Sequence, residues 1–181
     1  MQTCNLLGNV EAQAERLVEA RAWYERARDL AQQRNDTTML GVTAQNLGVV
    51  RLYEGEATRQ RGDETTARQH FAEAERFLHE SLQMELERHN QPGEASSRIQ
   101  LAQLYGLLGD LEQAEAQAQQ AREIRERLDL LRELPSVYTT LAQIAQAHGD
   151  ATQEAHWETR LAEVEAELER RAQGGRGAGG A

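Results

Sequence analysis

The chain has 181 residues, enough for one domain of ordinary size, and 39% of them are hydrophobic although only 4% are aromatic. Its formal net charge is −10 with no basic patch to offset it, which excludes nucleic acid and anionic membrane surfaces as expected partners. A composition dominated by Ala, Glu, Gln, Leu and Arg favours long helices and disfavours strands.

Helical periodicity covers the chain from residue 2 to about residue 172. Asn90 to Gly93 breaks this pattern, and Pro135 is expected to open a helix. Three Gly-Asp pairs, at 62–63, 109–110 and 149–150, are typical of tight helix-to-helix turns, since Gly ends one helix and Asp caps the next. The eight predicted helices are 2–14, 17–34, 38–61, 64–89, 94–108, 111–130, 135–148 and 151–172.

The last nine residues, 173–181, are mostly Gly and Ala. They have almost nothing to bury, so we predict a disordered tail there. The repeat array should therefore occupy residues 1–172.

A short sequence motif recurs in the predicted first helix of each hairpin. Leu-Gly at 7–8 returns at 47–48, and Leu-Ala at 101–102 returns at 141–142, each after 40 residues. The middle interval, from 47 to 101, is 54 residues, which exceeds 40 by two heptads. A hairpin can absorb this excess as seven residues, about two turns, in each arm. A fixed long period indicates one supersecondary unit stacked repeatedly.

The predicted second helices share a pattern of Ala, three residues, a central residue, two residues and Ala or Ser. The central residue is large in the first two repeats, whereas the last two have Ala118 and Thr159 there. The pattern begins at Ala20, Ala67, Ala114 and, one residue late, Ala155, with an echo from Ala74. Small residues let two helices cross closely, and large residues fill the holes between hairpins. Together with the Leu-Gly phrases and Tyr105, the pattern resembles the tetratricopeptide repeat family. The 40-residue period is similar to the longer-helix variety of kinesin light chains, spindle-orientation adaptors and bacterial sensor or adaptor arrays.

The resemblance implies an all-α fold, a right-handed superhelical solenoid of four helix-turn-helix repeats at about 1–36, 37–91, 92–133 and 134–172. The first helix of each repeat should line a concave groove that binds a peptide or a partner helix. The implied function is protein–protein interaction, as a scaffold, an adaptor or the sensor region of a larger signalling protein.

Groove-facing positions are expected two residues before and two residues after each repeated leucine. Amide side chains dominate there, and an amide that both donates and accepts suits the backbone of an extended peptide. Nearby apolar side chains could hold one or two ligand anchors. The alternative is that the amides are ordinary solvated surface. The predicted binding residues are Asn5, Asn9, Gln45, Asn46, Val49, Leu52, Tyr53, Ile99, Gln103, Leu107, Thr139 and Gln143.

The family's carboxylate clamp requires lysines, and this sequence has none. Arg51 or Arg98 could replace a lysine as an anion partner, although ordinary surface ion pairs are the simpler interpretation.

No catalytic, cofactor-binding or metal-binding residues are predicted. The five histidines form no His-Glu-x-x-His pair, and no glycine cluster lies between a strand and a helix as a phosphate loop requires. We therefore expect no enzymatic activity. The lone Cys4 and the lack of a long apolar run favour a cytoplasmic location.

Leu6, Leu7 and Val10 lie on the first predicted helix, with no repeat before them to cover them. One explanation is that the chain belongs to a larger protein. The alternative function is self-assembly, in which this uncapped face gives dimers or head-to-tail filaments.

Overall fold

The computed structural model of the protein describes residues 1–177, with side chains described through Gln173. These residues form eight α-helices joined by short turns, and a 3-10 turn at Leu131–Glu133 precedes the seventh. The all-α fold class predicted from the sequence is confirmed. The helices are α1 (Gln2–Gln13), α2 (Leu17–Gln33), α3 (Thr37–Gln60), α4 (Glu64–Glu87), α5 (Gln91–Leu108), α6 (Leu111–Arg127), α7 (Leu134–His148) and α8 (Ala151–Gly177).

The start of α5 and the end of α6 each differ from the prediction by three residues. The break expected at residues 90–93 lies slightly earlier, at residues 88–90, because α5 begins at Gln91 and contains Pro92 in its first turn. A proline there costs little, since its missing N–H would have no helical partner in any case. Helix α6 ends at Arg127 rather than 130, because Asp129 turns the chain with a φ of 52°.

The start of the disordered tail, predicted at residue 173, also differs from the structure. Helix α8 continues past residue 173 to Gly177, and no proline interrupts it. Glu167 pairs with Arg170 and Arg171 in the turns before this point, at helical spacings that stabilise the helix. Residues 178–181, the rest of the predicted tail, lie outside the described residues.

Every junction between consecutive helices contains one residue in the left-handed conformation. Glycine occupies it at positions 62, 109 and 149, with φ between 74° and 86°. The aspartate after each glycine accepts a backbone N–H of the next helix at 3.0–3.1 Å, as the Gly-Asp turns predicted. The other four junctions place a side-chain-bearing residue in the same conformation: Glu15, Asn35, His89 and Asp129.

The second hairpin is taller than the third. Helices α3 and α4 have 24 residues each, against 18 and 17 in α5 and α6. Glycines recur every seven residues along α3, and each faces a residue of α4 that recurs with the same spacing. The facing pairs are Gly41 with Glu85, Gly48 with Leu78, and Gly55 with Phe71.

These glycine contacts between α3 and α4 show how the two extra heptads are accommodated. In the first hairpin Gly8 faces Tyr24, as Gly48 faces Leu78 in the second. Leu78 is therefore the counterpart of Tyr24, and the motif that begins at Ala74, not the one at Ala67, lies in register with the first hairpin. Phe71 belongs to the added level, which repeats the same glycine contact.

Each helix packs mainly against its neighbours in sequence, which is the organisation of a solenoid. Beyond these contacts, α3 touches α5 and α5 touches α7, so the first helices of three successive hairpins lie side by side. The main hydrophobic core runs from Leu52 and Phe71 to Val164, and a smaller cluster surrounds Tyr24 and Leu47.

Candidate binding groove

A depression of about 420 Å³ lies between α3, α5 and α7. Ligand pockets in proteins commonly have volumes of this order. Five of the twelve predicted binding residues meet in its lining, although they come from three separate repeats. These five are Leu52, Tyr53, Gln103, Leu107 and Gln143.

Four further residues line the depression and were not singled out in the sequence: Glu56, Gly106, Thr140 and Ile144. Glu56, Gly106 and Thr140 each lie three or four residues from a predicted binding residue on the same helix, whereas Ile144 directly follows Gln143. Helical positions three or four residues apart share a face. Extending the predicted positions by one turn in each direction therefore identifies the first three and not Ile144.

The lining combines an apolar floor with a polar edge. Leu52 and Ile144 are almost fully buried, whereas 51% of the Tyr53 side chain is exposed. The Gln103 amide donates to the Thr140 hydroxyl over 3.5 Å, at the upper limit of a hydrogen bond. Gln143 is exposed. The depression can therefore take an apolar group and offer amides to a peptide backbone.

The amides of the first hairpin are partly committed to internal hydrogen bonds. The Tyr24 hydroxyl donates to the Asn9 side-chain oxygen at 2.9 Å. The Asn46 amide donates to the Asn5 side-chain oxygen at 2.9 Å and so links α3 to α1. Replacing these asparagines would disturb the fold as well as any ligand contact, which makes them poor probes of binding.

The remaining predicted positions differ in exposure. Gln45 and Val49 are half-buried, and Thr139 is exposed with its hydroxyl donating to the Pro135 carbonyl. Ile99 is only 2% exposed and belongs to the main core, so the prediction that it faces the groove is wrong. Helix α5 has a hairpin on each side, and its position two residues before the repeated leucine is covered by that packing.

Arg51 and Arg98, which were suggested as partners for an anionic ligand, both bond other residues of the fold. Arg51 bonds Glu54 at 2.8 Å and lies 2.6 Å from a Glu73 oxygen. Arg98 bonds the Glu94 carboxylate and the Gln117 side chain, both at 2.9 Å. Both guanidinium groups therefore act within the fold.

Tyr105, at the tyrosine position of the repeat motif, links α5 to α4. Its hydroxyl donates to Glu75 at 3.1 Å and lies 3.0 Å from the His79 ring. Burial, reinforced by the negative charge of Glu75, raises the pKa of Tyr105 to about 12. The contact joins two successive hairpins and is structural.

The outer face of α1 is exposed, whereas the corresponding residues of the later repeats are buried. Leu7 is 36% exposed, whereas its counterparts at positions 47, 101 and 141 are at most 2% exposed. Val10 is 56% exposed, against 2% for its counterpart Val50. Leu6 is 62% exposed on the same helix. The face has the composition of an inter-repeat contact.

Grouped metal ligands and membrane-spanning helices are absent from the part of the chain that the structure describes. Within residues 1–177, no three His, Cys, Asp or Glu side chains are grouped so that they could hold a metal ion. No helix in the same range has both the length and the apolar character that crossing a bilayer requires.

Comparison with known proteins identifies the repeat. Residues 64–127, which are α4, α5 and α6, match the family model of the tetratricopeptide repeat. The described hairpins on either side extend the same architecture. Residues 64–127 therefore contain tetratricopeptide repeats. Repeats of this family are non-catalytic modules that generally mediate protein–protein interaction.

Among solved structures, the chain is similar to that of BtubC (BKLC) from P. vanneervenii, with a TM-score of 0.72 and 19% identity. The similarity covers 92% of this chain and 63% of that one, so the chain spans less than two thirds of its neighbour's length. At this identity the likeness concerns the fold alone. No curated protein matches the chain.

Proposed function

We propose that the protein is a scaffold, adaptor or sensor module that binds a protein partner in the groove between α3, α5 and α7. The observation that carries this proposal is the meeting of Tyr53, Gln103 and Gln143, from three different repeats, around one depression with an apolar floor. Large aromatic side chains beside apolar pockets dominate the affinity of many protein interfaces. The groove amides add hydrogen bonds that suit a peptide backbone.

Affinity capture with a matched control tests this proposal. The groove variant is Tyr53→Ala with Gln143→Ala, both at exposed positions. The control is Gln120→Ala on α6, which is also exposed. A partner of the groove should be retained by the wild-type protein and the control, and should be lost or weakened with the groove variant. Equal capture by all three proteins would contradict a groove partner.

The second candidate function is self-association through the outer face of α1. The exposed Leu7 and Val10, whose counterparts are buried in the later repeats, favour it. Helix α8, in the last of the described hairpins, instead exposes Glu158, Glu165 and Glu169. Head-to-tail stacking would bury these carboxylates against leucines at a high desolvation cost. A symmetric contact between two α1 faces avoids that cost.

Sedimentation velocity over a wide concentration range tests self-association. A dimer that dissociates with Leu6→Glu or Val10→Glu, both at exposed positions, would support it. A wild-type protein that remains monomeric at high concentration would contradict it. Growth into open polymers would instead favour the head-to-tail filament.

A further inference from the structure

Gly106 is unlike the other helical glycines of α1–α7. A Cβ on Gly8, Gly48 or Gly55 would lie within 2.7 Å of a neighbouring side chain, so those glycines are required by packing. A Cβ on Gly106 would meet no atom within 4 Å. Glycine is a poorer helix former than alanine, and nothing in the described fold requires it here. Gly106 lies on the floor of the groove depression, where its missing side chain leaves room for a ligand.

The space over Gly106 is bounded by apolar groups. Leu52 and Ile144 are 4% exposed, Leu107 is half-buried, and the exposed ring of Tyr53 stands beside them. An apolar side chain that enters this space gains contact on several sides and loses its hydration. A leucine-sized or phenyl-sized anchor therefore suits the floor.

The edge of the same depression carries a negative charge. Glu56 is the one acidic or basic residue in the lining. Among residues 1–173, no arginine or histidine nitrogen lies within 4.0 Å of its carboxylate, whereas Glu54 on the same helix is paired with Arg51 and Arg21. The whole chain has a formal net charge of −10. Arg59, one turn beyond Glu56 on α3, donates to the Leu107 carbonyl at 2.8 Å instead of pairing with Glu56. The carboxylate without an ion-pair partner among these residues and the overall charge together favour a cationic ligand.

We infer that the depression over Gly106 is a specificity pocket for a linear peptide segment in which a large apolar residue is followed or preceded closely by Lys or Arg. The apolar side chain fills the space over Gly106, and the cation pairs with Glu56. The inference rests on the proposed groove function and adds the chemistry of its partner.

Selection from a phage-displayed library of random dodecapeptides tests it. The enriched sequences should pair Leu, Ile, Met or an aromatic residue with Lys or Arg within about one turn or three extended residues. Synthetic fluorescent copies of these peptides then provide dissociation constants by anisotropy. Gly106→Leu, which fills the pocket, and Glu56→Arg should each weaken binding roughly tenfold or more.

Two controls match these changes on the outer surface. Ala116→Leu adds a leucine at an exposed position of α6, and Glu165→Arg makes the same charge reversal at an exposed position of α8. Both should bind the peptides as the wild type does. Gly106→Ala is a smaller change at an open position that should leave the helix intact, as circular dichroism can verify, and it should still weaken binding measurably.

The outcomes separate this inference from the groove function. Peptides that lack an apolar–basic pair, or that bind Gly106→Leu and Glu56→Arg as tightly as the wild type, overturn the inference. If Tyr53→Ala with Gln143→Ala still weakens those peptides, the groove function stands. Peptides whose binding is unchanged by Gly106→Leu, by Glu56→Arg and by Tyr53→Ala with Gln143→Ala overturn both the inference and the groove function. A selection that enriches no peptide overturns the inference that the depression is a peptide pocket.

Discussion

Gly48 and Leu78 meet face to face across the second hairpin. A Cβ on Gly48 would lie 2.7 Å from the Leu78 Cγ and 3.3 Å from the Ala74 carbonyl oxygen. The absence of a side chain lets α3 and α4 approach closely, and the large side chain opposite fills the space. The same relationship joins Gly8 to Tyr24 and Gly55 to Phe71, so one contact is used in both hairpins.

Gly48→Ala should destabilise the protein. The new methyl group must displace Leu78 and also approaches backbone, and overpacking of this kind costs about 1–3 kcal/mol. Urea unfolding monitored by circular dichroism provides the measurement. Gly106→Ala is the control in open space and should stabilise the protein by about 0.5–1 kcal/mol. Equal effects of the two substitutions would contradict the close approach of α3 and α4.

Replacing Glu15 or His89 by glycine should stabilise the protein. Both residues have positive φ, 57° and 52°, where a residue with a Cβ is strained by about 1 kcal/mol. Glu15→Gly and His89→Gly should therefore each raise the melting temperature by a few degrees, because the turn geometry is retained without the strain. Gly62→Ala, at φ 86° in an equivalent turn, should lower it. A lower melting temperature for both glycine variants would show that the native side chains contribute more than the strain.

Much of this fold can be predicted from the sequence because its signals are local and repeated. The Gly-Asp pairs mark three turns correctly, and the 54-residue interval indicates the taller second hairpin. The register inside that hairpin is less accessible, because Phe71 and Leu78 both fit the motif. Only their contacts with Gly55 and Gly48 distinguish the added level from the shared one.

The groove was harder to predict than the fold. A fixed offset from the repeated leucine identifies Gln103 and Gln143 in the depression, but it also selects Ile99, which is buried. The offset ignores how many neighbours cover each helix. Glu56 and Gly106 were missed for a different reason, since neither belongs to the repeat pattern and their place depends on the packing of three hairpins.

The buried pair Ser81 and Ser97 should show strong coupling. Their hydroxyl oxygens lie 3.0 Å apart where α4 packs against α5, and both residues are fully buried. Ser81→Ala or Ser97→Ala leaves one buried hydroxyl without its partner, which should cost about 1–3 kcal/mol. The double variant removes both polar groups and should cost less than the sum. Additive effects in a double-mutant cycle would mean that the hydroxyls do not interact.

Tyr105 should make the protein sensitive to alkaline pH. Its pKa is raised to about 12 in the folded state, against about 10 in an unfolded chain. The neutral phenol therefore contributes stability that is complete below pH 10 and is lost as the pH rises through 12. Tyr105→Phe should flatten the fall in unfolding free energy between pH 10 and 12. Part of the fall should remain, because burial also raises the pKa of Tyr24 and Tyr138. An unchanged slope would contradict this assignment.

Photo-crosslinking from the groove tests the central claim most directly. A photoreactive phenylalanine analogue replaces Tyr53, which is exposed at the depression, and in a second protein it replaces Leu86, which is exposed on α4. Irradiation with a captured partner or a selected peptide, followed by mass spectrometry, identifies the sites of attachment. The account predicts efficient cross-links from position 53 and few from position 86. Cross-links that form equally from both positions, or only from position 86, would contradict a partner in the groove between α3, α5 and α7.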